Sequence, residues 1–101
     1  MISKLIGFAK EIIVLSDSII ENNSSPNTKV AEIIKREFEK QYESLRNQGK
    51  VIVLNQERDL WAWRTIIDSA HFDYDKILIE KVFEFVKLIK KLPKQNLTIL
   101  Y

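Results

Sequence analysis

A chain of 101 residues with only two glycines and two prolines has few places to turn. Those residues make tight reversals cheap. A β-sandwich or barrel of this length needs many reversals, whereas a set of long helices needs few. Pro26, Gly49 and Pro93 fall between long segments, and only Gly7 lies inside one. The segments carry helical periodicity. Ile2, Leu5, Ile6, Ala9, Ile12, Ile13, Ile19 and Ile20 follow i, i+3, i+4 and i+7 steps, which line one helix face. Phe8, Val14 and Leu15 widen that apolar arc, as suits a helix touched by two neighbours.

The run Asn22–Asn27 breaks the pattern and reads as a loop, with Ser25 a candidate cap and Pro26 at the first helical position. A second helix is predicted from Pro26 to Asn47. Its apolar stripe is Val30, Ile34, Phe38, Tyr42 and Leu45, with Ala31 alongside, and its charged face offers the pairs Glu32–Arg36 and Glu43–Arg46. Gly49 is the natural stop. Lys50–Leu54 is short and β-branched, the one segment that prefers a strand. Asn55 then caps a predicted third helix, Gln56–Ala70, striped by Leu60, Trp63, Ile67 and Ala70. A fourth follows from Tyr74 to Leu92, with Asp73 as its cap and Pro93 as its end. Leu78, Val82, Phe85, Ile89 and Leu92 form one row, and Ile79, Phe83 and Val86 a second, which makes this the most apolar helix and the expected centre. The tail closes on Leu97-Thr98-Ile99-Leu100-Tyr101. Chain ends are usually polar and frayed, so an apolar one should be docked. A small two-stranded contact with Lys50–Leu54 is the extended partnership open to it. The expected architecture is a single all-α domain over residues 1–101: an antiparallel four-helix bundle with an ordered apolar C-terminal tail.

Composition narrows the function. Apolar residues at 46% and charged residues at 30% are globular rather than disordered proportions. Without cysteine there is no disulfide, thiolate metal site or thiol nucleophile, and a reducing compartment fits. A formal charge of +2 is too mild to demand a nucleic-acid partner. The most apolar stretch, Ile2–Ile20, is interrupted by Lys4, Lys10, Glu11 and Asp17, which argues against a membrane span, and it lacks the parts of a signal peptide. These features place the chain in the cytoplasm, within reach of the membrane's inner surface.

Few residues suggest chemistry. His71 is the single histidine, with Asp68 and Asp75 three and four residues away. Imidazole with carboxylates can hold a divalent metal. The plainer reading is a capping cluster at a helix junction, and no metal or cofactor is expected. Trp61 and Trp63 flank Arg58, Asp59 and Arg64. Side chains two apart on a helix diverge, so either one indole reaches the surface as an interface anchor, or both fill core and groove positions. Lys87, Lys90, Lys91 and Lys94 make a basic end, which complements the helix dipole and aids solubility, or meets an anionic surface. No Ser-His-Asp set, glycine-rich phosphate loop or H-E-x-x-H is present.

Two resemblances follow. The four predicted helices, the Arg46-Asn47-Gln48-Gly49 stop, the short apolar link through Leu54 and a tail ending in Tyr101 make the chain similar to the small bacteriocin immunity proteins of Gram-positive bacteria. That likeness implies a cytoplasmic, non-enzymatic interaction protein. Its partner would be a toxin or a bacteriocin-bound receptor complex, with Trp61, Trp63, Arg64, Leu97, Ile99 and Tyr101 as the binding residues. A phage- or plasmid-encoded inhibitor of a defence enzyme would share this physical description. The second resemblance rests on Arg64 and His71 in Arg-Thr-Ile-Ile-Asp-Ser-Ala-His, which looks like the R-x(4–6)-H signature of HEPN ribonucleases of toxin–antitoxin systems. It implies catalysis by Arg64 and His71 on RNA, the only reading with a nucleic-acid partner. Thr65 stands where that family usually has Asn, Asp or His.

Overall fold

A computed structural model describes residues 1–22, 27–61 and 76–100. In chain order these form α1 (Ile2–Asn22), α2 (Asn27–Gln48), β1 (Val51–Val53), α3 (Lys76–Ile89), a 3₁₀ turn over Lys94–Asn96 and β2 (Leu97–Ile99). The fold is mostly helical but is not a four-helix bundle. Among the described residues there are three helices, joined to a two-stranded parallel sheet.

The helices form where periodicity placed them. α1 buries Leu5, Ala9, Ile12 and Ser16, while Val14 turns outward. α2 buries Ala31, Ile34, Phe38, Gln41 and Leu45. Gly49, at φ 65°, adopts the left-handed conformation that ends it, and its N–H returns to Leu45 O at 3.0 Å. The expected Glu43–Arg46 pair does not form; Arg46 lies over the Tyr42 ring, 5.5 Å from its centroid. In α3 the whole first row, Leu78, Val82, Phe85 and Ile89, is buried, as is Leu92 beyond its end. This helix stops three residues earlier than expected, because Lys91 and Leu92 bond back to Leu88 and Ile89 in tighter i→i−3 turns. It is also not the centre among the described helices. α1 packs broadly on α2 and also on α3, and Lys35 of α2 bonds Asp17 of α1. That hydrogen bond, reinforced by the charge of Asp17, raises the Lys35 ammonium above its ordinary range. Phe38 and Phe85 meet edge-to-face at 5.0 Å between α2 and α3.

The predicted third helix fails at its start. Residues 55–60 form a turn instead, with Arg58 N–H on Asn55 O and Leu54 N–H on Asp59 O. Arg58 takes a left-handed φ of 66°, which costs a non-glycine residue energy and cannot continue a helix. Its Nη1 compensates by donating to Ile89 O at 2.7 Å, at the C-terminus of α3. Asn55 still caps, but it caps this turn: its amide bridges the Asp59 carboxylate and N–H. The turn buries Leu60 in the core. Trp61, where the predicted helix would continue, is helical; residues 62–70 of that helix, together with the Ser25–Pro26 and Asp73 caps, lie outside the described residues.

The strand contact anticipated between Lys50–Leu54 and the tail is present, in parallel. Val51 pairs with Leu97, Ile52 with Thr98 and Val53 with Ile99. Side chains alternate across a strand, so the sheet has two faces. Val51, Val53, Leu97 and Ile99 enter the core. Ile52, Leu54, Thr98 and Leu100 point the other way. Ser44 Oγ donates to Lys50 O at 2.7 Å and Asn96 Nδ2 to Gly49 O at 3.0 Å, which pins the entry to both strands.

Candidate functional site: the outer sheet face

The outer face of the sheet forms one wall of a groove, and α2 forms the other. Ile52, Leu54 and Leu100 come from the sheet side, Ile33, Arg36, Glu37, Lys40 and Gln41 from α2, and Trp61 stands at one end. The groove encloses about 230 Å³. That is below the ~300–1,000 Å³ of pockets that engulf small molecules. At that size it does not engulf a drug-sized molecule.

Three large apolar side chains stand in solvent around this recess: Ile33 at 41% exposure, Trp61 at 57% and Leu100 at 46%. Trp61 is held from its backbone, whose N–H donates to Glu37 Oε1 at 2.8 Å. The indole is thus positioned without being buried. Arg36 and Lys40 lie four apart on α2 and so share its groove-facing surface. Neither makes an ion pair among the described residues, whereas Lys35 and Lys81 on neighbouring surfaces are paired to Asp17 and Glu11. The recess therefore combines an apolar floor with two available cations.

Gln41 makes this geometry possible. Its side chain is buried, donates from Nε2 to Ile52 O at 2.7 Å and accepts Ile52 N–H on Oε1 at 2.8 Å. It thus pairs with β1 as a third strand would, and fastens the sheet edge to α2. Sequence reading passed over it. The available signal was its place on the stripe Ala31, Ile34, Phe38, Leu45: an amide there is buried and needs partners.

Of the residues singled out from sequence, Trp61 is exposed at the recess. Leu97 is buried and Ile99 half-buried against the core, so both hold the tail down. Their neighbour Leu100, not singled out, reaches the recess instead. Lys87, Lys90, Lys91 and Lys94 are all exposed around the end of α3, with Lys87 4.0 Å from Glu84. Trp63, Arg64, His71 and Tyr101, with Asp68 and Asp75, lie outside the described residues. Among the described residues no cluster of His, Asp or Glu is arranged to hold a metal, and no helix is long and apolar enough to cross a membrane. A second apolar spot, around Val14 and Ile77 between α1 and α3, is spanned by the Lys81–Glu11 pair at 2.7 Å. Comparison with known proteins finds no matching family model, no curated relative and no matching solved structure.

Proposed function

We propose that this chain is a non-enzymatic binding protein that recognises another protein through the outer sheet face, in its most concrete form an immunity or inhibitor protein acting against a toxin or bacteriocin system. The observation that carries this reading is the gathering of Ile33, Trp61 and Leu100, all exposed, around a recess flanked by Arg36 and Lys40. A tryptophan beside an arginine, both accessible and set around an apolar centre, is the composition of an interface hot spot. A monomer gains nothing from leaving such side chains in water.

Affinity capture from the native host, quantified by mass spectrometry for wild type, Trp61→Ala and Val14→Ala, tests it. Loss of a hot-spot anchor costs about 2 kcal/mol or more, roughly thirtyfold in affinity. A specific partner retained by wild type and Val14→Ala but depleted by Trp61→Ala is expected, and its identity as a toxin, receptor component or defence enzyme fixes the role. Equal capture by all three variants refutes the assignment of the face, and no specific partner for any of them refutes the binding function.

A further inference from the structure

The two edges of the small sheet are treated differently. On β1 the outward N–H and C=O of Ile52 are both bonded by Gln41. On β2 the parallel register, with Leu100 N–H on Val53 O, turns the N–H and C=O of Leu97 and Ile99 away from β1. Leu97 N–H is returned to Lys94 O. The C=O of Leu97 and both groups of Ile99 have no hydrogen-bond partner among the described residues. Proteins usually blunt such an edge with lysine, proline or a bulge. Leu97-Thr98-Ile99-Leu100 carries no charge and no proline, and its pairing with β1 runs without a bulge.

We infer that this edge is covered by a second copy of the chain, β2 against β2 antiparallel about a two-fold axis at Thr98. The edge is complementary to itself in that register. Leu97 lies opposite the partner's Ile99, the register in which antiparallel residues exchange N–H···O=C bonds; with the Leu97 N–H held on Lys94 O, one of the two bonds of each pair forms. Each Ile99 N–H meets the partner's Leu97 C=O, twice by symmetry. The two copies of Thr98 fall directly opposite each other at the axis, a favourable cross-strand pair of a β-preferring residue. An uncharged strand approaches its own copy without like-charge repulsion. Two strands alone are marginal, while four in a row sharing one apolar face are not. The resulting sheet, β1-β2 followed by its symmetric copy, also brings both outer faces, and so both recesses, onto one surface. The contact is isologous and closes at two.

Sedimentation equilibrium of the intact chain from about 1 to 200 µM, with backbone amide exchange at both extremes, tests this. The expected result is a reversible dimer, with the Ile99 amide protected only at the high concentration. Ile99→Pro removes the one outward N–H and leaves the ladder to β1, which uses Thr98 and Leu100, intact; it should weaken the dimer at least tenfold. Should that variant not fold, Thr98→Lys places two ammonium groups face to face at the axis from an already half-exposed position, and should weaken it about fivefold or more. A monomer across the whole range overturns the inference. So does a dimer that folded Ile99→Pro or Thr98→Lys leaves unchanged, and so does an Ile99 amide already protected at dilution, which would mean that the chain covers its own edge. Each of these readouts is independent of whether Trp61 anchors a partner.

Discussion

The two faces of the sheet are made from alternate residues of the same two strands and are almost equally apolar, yet they are covered differently. Val51, Val53, Leu97 and Ile99 close the core beneath α1, α2 and α3. Ile52, Leu54 and Leu100 are set one residue along and look into a recess open to water. The difference lies in what covers them. Burial of the first set contributes to stability at about 25 cal/mol per Å² of apolar surface removed from water. The second set contributes little to the isolated chain, because its apolar surface lines an open recess.

The largest effect should come from removing the strand that both faces share. Deleting Leu97–Tyr101 uncovers Val51 and Val53, removes the side chains of Leu97 and Ile99 from the core and leaves β1 without a ladder. At roughly 1.5–3 kcal/mol for each large apolar side chain fully buried, the loss is several kcal/mol, readable as a lower urea midpoint. An unchanged midpoint would show that the inner face is no more structural than the outer, and the comparison would collapse.

Gln41 supports the contrast from the side. Gln41→Met keeps the length of the side chain but leaves the Ile52 N–H and C=O without their partners. Each unsatisfied buried group costs about 1–3 kcal/mol. Because Ile52 is only half-buried, the two groups together should cost about 2–4 kcal/mol, the lower part of the summed range, with the fold retained by circular dichroism. Faster amide exchange at Ile52, with Val53 less affected, would locate the damage at that edge. A neutral substitution would mean that water serves Ile52 as well as Gln41 does.

The sequence revealed much of this, and the gaps have physical causes. Helix faces were legible because burial repeats every three to four residues over long segments. The pairing of Lys50–Leu54 with the tail was legible because they are the only extended apolar runs. The turn at 55–60 was hidden because Asn55, Glu57 and Asp59 are good helix-start residues. What overrules them is tertiary: Arg58 reaching Ile89 O and Leu60 entering the core. The recess was legible only at Trp61. Ile33 lies one position from the core residue Ile34, and Leu100 one from Ile99. Helix periodicity already leaves Ile33 off the α2 stripe, but that it stands beside Leu100 and Trp61 depends on the strand pairing and on Gln41, and neither is written in local periodicity.

The smallest effect is the sharpest test of the two faces, because it compares two leucines three residues apart. Leu97 is 8% exposed and Leu100 is 46% exposed. Three steps along a strand reverse the side chain's direction, so Leu97 points into the core and Leu100 into the recess. Leu97→Ala removes buried methyl groups and leaves a cavity, at about 2–5 kcal/mol. Leu100→Ala removes atoms already half in water, with no cavity to form, and should cost about 1 kcal/mol or less in thermal or urea denaturation. Its effect on partner capture should rank the other way, since Leu100 lines the recess and Leu97 does not. If Leu100→Ala destabilises the isolated chain as much as Leu97→Ala, the outer face belongs to the core and Trp61 stands over a packed surface.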